Sequence, residues 1–311
     1  QSGSGANGGD DQVTAAYPLC TPERIESAIC AILCQACGKI DVVRESAGAA
    51  LGAILVSQDP VIPCVPLRAK LEELLQGIHS TQSSASSGAV SIAGWGIPSI
   101  VFTMLVPLLN LNPFRTAIIS GMKESIGDIN ESSAKSARSA LLSWAGKERS
   151  NGSLKLLASV AESLLSVVMR RKAREFEAIM KTAALLLENG AFDFMDPCKS
   201  SFCEELLAAA RSTMLRTREH FRTIAGMHVC CALTAFAEPI SGQALTSVLL
   251  LLSHAYPVVR KATADKLYSA LLQYDVAALP GDTDETVDEM SDILLETPWA
   301  ECSIATAKES R

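Results

Sequence analysis

The chain has 311 residues, 48% of them apolar and 5% aromatic, with a formal net charge of −7. That length suits one large domain or two ordinary ones, and the apolar share supplies a large core. Scarce aromatics beside abundant Ala, Leu and Ser favour stacked helices over a β-sandwich. An acidic chain without a basic block is a poor candidate for nucleic acid.

The longest apolar runs, Ile100–Leu111 and Val248–Leu252, are too short to cross a bilayer, and Pro107 interrupts the first, so no membrane insertion is expected. The start, QSGSGANGGDDQV, is polar and reads as no signal peptide. Without an initiator Met, the chain reads as a piece of a longer protein. Its ten cysteines show neither paired-ligand spacing nor the density of a disulfide framework. Most lie within apolar helical patterns and read as small core residues, and a reducing cytosol fits them.

In chain order, residues 1–19 are expected to be a disordered Gly/Ser-rich linker. Thr21-Pro22 opens a helix with a cap and a first-turn proline. Ile25, Ile29 and Ile32 continue it at helical spacing, and Gly38 ends it. Asp41 is expected to cap a second helix. Pro60, Pro63 and Pro66 then predict an extended segment before a short helix. A mobile Ser/Gly-rich loop is expected at 77–97. From Pro98 on, Asn112-Pro113 and Asp196-Pro197 read as helix starts, and Gly146 and Gly190 as helix stops. About thirteen helices and no strand follow from this punctuation. One helical-repeat domain is expected over 20–302, with a tail at 303–311.

Two stretches share an oddity. DVVRESAGAALGAIL (Asp41–Leu55) and YPVVRKATADKLYSALLQY (Tyr256–Tyr274) each place an arginine after two valines in an otherwise apolar helix. Leu51 follows Arg44 by seven residues, and Leu267 follows Arg260 by seven. Lys135 with Leu142 gives a weaker third echo. HEAT-type repeats open their second helix with Asp or Pro, then Val-Arg, then a small apolar face. Spacings between the echoes accommodate whole repeats. The fold class expected is therefore all-α, an irregular HEAT/armadillo-type α-solenoid of stacked antiparallel helix pairs. Arg44, Leu51, Pro257, Arg260 and Leu267 are its repeat motif. Each arginine is expected to hold a carboxylate or carbonyl of an adjacent helix, with its stem partly buried.

Chemical motifs are weak. GSGANG (Gly3–Gly8) matches a dinucleotide fingerprint in letters only, since no strand precedes it. Cys30, Cys34 and Cys37 share a helix face without a second ligand pair. His79, His220, His228 and His254 stand in no metal or triad context, and Asp193 and Asp196 read as a turn with a cap. No catalytic residue, metal or cofactor is assigned, and no GTP binding or hydrolysis by the chain itself is expected. Of two basic clusters, Arg170–Arg174 and Arg211–Arg222, the second can align Arg211, Arg218 and Arg222 on one helical face as a docking surface for an acidic partner.

Four stretches carry a family resemblance. VIPCVPLRAKLEELL (Val61–Leu75), LLLENGAFDF (Leu185–Phe194), LLLLSHAYPVVRKATADKLYSALLQY (Leu249–Tyr274) and DEMSDILLETPWAE (Asp288–Glu301) occur in this order. Together they resemble the C-terminal region of tubulin-folding cofactor D, over about Thr21 to Glu301. The resemblance implies a chaperone that takes β-tubulin after the chaperonin and joins it to α-tubulin with cofactor E. With cofactor C it implies stimulation of tubulin GTP hydrolysis, and it adds an Arf-like small GTPase as partner. It also implies a cytoplasmic, cytoskeleton-associated place and a scaffold rather than an enzyme. The alternative is a general HEAT-repeat scaffold or transport adaptor without a tubulin role.

Overall fold

A computed structural model of the chain describes residues 21–57, 61–80, 94–128, 130–170, 172, 175–195, 200–214, 217–273 and 283–311. Fourteen α-helices and one short 3-10 helix make up its regular structure, with no strand among the described residues. The fold is all-α. Where the sequence reads one domain from 20 to 302, the chain divides into two compact units, residues 1–141 and 142–311.

Unit 1 begins with α1 (Pro22–Ala36) and α2 (Asp41–Val56), then α3 (Arg68–Ser80) and α4 (Pro98–Leu105). The 3-10 turn Val106–Asn110 leads into α5 (Asn112–Ile126). Thr21 caps α1, its Oγ1 accepting from the Arg24 amide at 3.4 Å. α1 packs against both α2 and α5. Its Ile29 and Leu33 are fully buried, one turn apart on one face. The approach of α5 is close because Gly121 has no Cβ; one there would overlap the Cys34 carbonyl and the Cys37 side chain. Ser125 Oγ donates to the Cys37 carbonyl at 2.8 Å and joins the same two helices.

α6 (Glu131–Ser150) carries the division between the units. Unit 2 continues with α7 (Leu154–Arg170), α8 (Phe176–Glu188), α9 (Phe202–Met214) and α10 (His220–Leu233). It closes with α11 (Ile240–Leu251), α12 (Pro257–Gln273), α13 (Thr283–Glu296) and α14 (Ile304–Glu309). Its centre is α10, packed by α8, α9, α11 and α12. Surrounded in this way, α10 buries residues around its whole circumference, from Thr223 to Leu233. That accounts for a run that reads as apolar without a clear polar face. Gly226 makes room there for the Met214 side chain of α9.

Several expected boundaries move. Asp41 and Asn112 are the first residues of α2 and α5 rather than their caps, and neither helix has a side-chain cap bond. Gly146 does not stop α6, which runs on to Ser150; buried Trp144, Ala145 and Glu148 hold the helix through a glycine that costs only about 1 kcal/mol. The turn comes at Gly152, with φ +72°. Gly190 does follow the end of α8, with φ +69°, a conformation that glycine adopts without strain.

The proline-rich segment is not simply extended. Turns fall at Pro63-Cys64 and Pro66-Leu67, with φ +54° at Cys64 and +51° at Leu67. Arg68 accounts for them, since its two terminal nitrogens donate to Leu55 O at 2.9 Å and Ile62 O at 2.7 Å and draw the segment back over α2. Of the loop expected at 77–97, α3 takes the first four residues and a turn at 94–97 buries Trp95, while 81–93 lie outside the described residues. The expected tail carries α14, capped by Ser303, whose Oγ accepts from the Thr306 amide at 3.2 Å. Residues 1–19, the Gly3–Gly8 motif, Asp196-Pro197 and Arg171 lie outside the described residues.

Candidate functional site

Arg44 and Arg260, the two arginines of the repeat motif, are both buried, at 0% and 3% exposure. A cation in the first turn of a helix faces the positive end of the helix dipole and is disfavoured by about 0.3–1 kcal/mol. Burial adds a desolvation penalty unless every N–H finds an acceptor. In this chain three main-chain carbonyls accept from each arginine, arranged in the same way twice.

In unit 1, Arg44 Nε donates to Trp95 O at 3.4 Å, Nη1 to Gly38 O at 2.9 Å and Nη2 to Gly96 O at 3.2 Å. In unit 2, Arg260 Nε donates to Trp299 O at 2.9 Å, Nη1 to His254 O at 2.9 Å and Nη2 to Cys302 O at 2.8 Å. Each arginine therefore grips the turn six residues before it and a tryptophan segment far downstream. Both tryptophans are buried. The buried faces that follow also coincide. Ala47, Gly48, Leu51 and Leu55 lie three, four, seven and eleven residues after Arg44; Thr263, Ala264, Leu267 and Leu271 do so after Arg260.

The acceptors correct one expectation. They belong to connecting turns, not to an adjacent helix, because only a turn exposes carbonyls that no helix bond has claimed. The clamps also differ. Asp41 Oδ1 pairs with Arg44 Nη2, and the guanidinium lies 5.8 Å from the centroid of the Phe102 ring. At the matching position unit 2 has Pro257, and Arg260 makes a fourth carbonyl bond instead, to Ala255 at 3.4 Å. Gly48 is filled by the Trp95 ring, which any Cβ there would overlap. The third echo fails: Lys135 is exposed on α6.

Arg211, Arg218 and Arg222 do not share a helical face. Arg211 belongs to α9, Arg218 to the link at 217–219, and Arg222 to α10. The link interrupts the helix that a continuous wheel would need. Arg211 acts on Cys230, two turns along α10 from Arg222, while Arg222 pairs with Glu219 at 2.8 Å.

Glu188 at the end of α8 meets Lys266 of α12 at 2.8 Å and His228 of α10 at 3.7 Å. Burial pushes its carboxyl upward, but the bonds to His228 and Lys266 outweigh this and hold it below the usual range. Arg149 meets Asp193 at 3.0 Å on the surface. Burial raises the thiols of Cys203 and Cys230 to about 12, and raises Cys37 and Cys231 further, so all four stay protonated and unreactive. Cys30 donates to the Pro113 carbonyl at 3.1 Å, a packing role. No described helix is long and apolar enough to cross a membrane.

No solved structure matches the chain. The sequence profile of the family described as "Tubulin folding cofactor D C terminal" matches residues 26–222. The match takes in the Arg44 clamp and the proline-rich turns, and ends before the Arg260 clamp. Covering more than half of the chain, it shows that this protein belongs to the tubulin folding cofactor D C-terminal family.

Proposed function

We propose that this chain is the C-terminal part of a tubulin-folding cofactor that binds β-tubulin in the post-chaperonin pathway and supports assembly of the α/β-tubulin heterodimer. With cofactors C and E it contributes to stimulation of tubulin GTP hydrolysis, and an Arf-like small GTPase is a further partner. Its place is the cytoplasm, in association with the cytoskeleton. The single observation that carries the reading is the family match over residues 26–222.

The role is that of a scaffold and not of an enzyme. Arg44, Arg68, Arg260 and Glu188 are engaged in holding helices and turns together. Such a protein acts by binding one conformation of its client better than others, which shifts the client's populations. HEAT-type stacking of helix pairs belongs to the same reading, and the repeated clamp supports it.

The test is retention from cytosol on the immobilised chain. Tubulin and cofactors C and E are expected among the retained proteins. Retention of other cargo with no tubulin would favour the general scaffold or transport adaptor. Titration calorimetry of the chain alone with GTP is expected to show no binding, and stoichiometric binding would refute the scaffold assignment.

A further inference from the structure

The chain has three Asn-Gly pairs, and two of them, Asn151-Gly152 and Asn189-Gly190, fall in described turns. The two turns share one backbone. Each glycine stands two residues past a helix, α6 or α8, with φ +72° at Gly152 and +69° at Gly190. Gly152 N donates to Arg149 O at 3.0 Å and Ser153 N to Glu148 O at 2.9 Å. Gly190 N donates to Leu187 O and Ala191 N to Leu186 O, both at 3.0 Å. This is the glycine-terminated helix end in which two amides turn back to the last carbonyls.

An asparagine before a glycine carries a reaction of its own. The glycine has no Cβ to shield its nitrogen, which can reach the asparagine Cγ when the turn opens. The nitrogen attacks Cγ, the Cγ–Nδ2 bond breaks, and ammonia leaves with the proton of that nitrogen. A five-membered succinimide closes. Water then opens the ring at either carbonyl, giving aspartate or, with the main chain rerouted through Cγ, isoaspartate. The step needs water alone, with no oxidant or reductant.

Side chains separate the two turns. Asn189 Nδ2 donates to Leu185 O at 2.8 Å, which ties down the leaving group. Gly190 lies beneath the Arg149–Asp193 ion pair, since a Cβ there would meet both side chains at 2.6 Å. The same position on Gly152 has nothing within 4 Å. Asn151 and Gly152 are both exposed, and the Asn151 carboxamide makes no hydrogen bond among the described residues. Arg149 thus covers the distant pair and leaves open the one that begins two residues after it.

We propose that Asn151 is a modification site of this chain, converted spontaneously through a succinimide to aspartate and isoaspartate, and that the fold protects Asn189 from the same reaction. Either product adds a negative charge at the C-terminal end of α6, where the helix dipole disfavours one. Isoaspartate also puts one more methylene into the main chain ahead of Gly152. The amides of Gly152 and Ser153 then no longer match the carbonyls they hold, and the turn between α6 and α7 loosens as the molecule ages.

Peptide mapping by mass spectrometry, on the full chain aged in neutral buffer, tests this. Asn151 is expected to lose ammonia about tenfold faster than Asn189, whose tie to Leu185 and cover over Gly190 together add at least one hydrogen bond to the barrier. Its products are expected to include isoaspartate, which only the ring can give. In urea, where neither turn persists, the two rates are expected to converge. Asp193→Ala, at an exposed side of the ion pair, should raise the rate at Asn189 and leave that at Asn151 unchanged. Equal rates in the folded chain, or aspartate alone at Asn151, would overturn the proposal. A gap that survives in urea would assign the difference to neighbours in sequence and overturn the role given to the fold. An unaltered rate at Asn189 in Asp193→Ala would overturn the cover assigned to the ion pair.

Discussion

Replacing Arg260 by alanine removes a guanidinium that makes four main-chain bonds, to Trp299, Cys302, His254 and Ala255. The Trp299 bond is fully buried, so its carbonyl is left without a donor, a loss of about 1–3 kcal/mol. The other three acceptors are partly buried, and water recovers much of their bonding. The cavity left by the stem adds to the loss, while release from burying a cation without a carboxylate offsets part of it. The net expectation is a destabilisation of about 2–3 kcal/mol. Arg149→Ala is the control, since its ion pair with Asp193 is exposed on both sides and is worth no more than about 1 kcal/mol. Urea midpoints compare the two variants, and amide exchange localises the effect. Arg260→Ala should speed exchange at Cys302 to Ala307 while α10 keeps its protection. Equal midpoints for the two variants, or uniform exchange, would refute the clamp as a source of stability.

Gly48→Val should cost more than about 3 kcal/mol, because the new side chain needs the volume held by the Trp95 ring; an unchanged melting temperature would contradict that packing. Burial and then the neighbouring Arg260 lower the His254 pKa, and its Nδ1 accepts from the Tyr256 amide at 3.1 Å. The native state therefore holds this proton less tightly than the unfolded chain. Stability should fall as pH drops from the ordinary histidine value of 6.5 to the lowered one, and level off below it. His254→Asn, which keeps an acceptor, should remove that slope from urea midpoints measured between pH 7.5 and 5.5, and a slope that persists would assign it elsewhere. A thiol reagent should modify exposed Cys64 within the native state and reach Cys37, Cys203, Cys230 and Cys231 only on unfolding; mass spectrometry of labelled peptides decides this.

Much of the helical order was legible because its signals are local. Thr21-Pro22, the 3.6-residue spacing in α1 and the glycine after α8 each act within a few residues. The arginines too were legible, as cations that an apolar face cannot leave unpaired. Their partners were not. Arg44 and Arg260 reach 51 and 39 residues downstream to carbonyls, and a carbonyl has no residue type to read. Trp95 sits at the end of a Ser/Gly-rich stretch whose composition argues for a loop, while the cavity that receives it is marked only by Gly48. Arg211, Arg218 and Arg222 misled for the opposite reason. A helical wheel drawn through all three assumes the continuity that the link at 217–219 breaks.

The choice of main-chain acceptors has a consequence for how this protein tolerates change. A clamp that reads side chains would constrain both partners. This one constrains the arginine and the path of the backbone, but leaves the chemical identity of the gripped residues free. His254, Ala255 and Cys302 offer the same oxygen whatever their side chains, so those positions can drift wherever packing allows. Lysine cannot stand in for the arginine, because its three donors leave from a single nitrogen and cannot span carbonyls that three separate guanidinium nitrogens reach. Divergence should therefore be lopsided: an invariant cation facing variable segments, a pattern in which the residue that never changes has no co-varying partner to reveal what it touches.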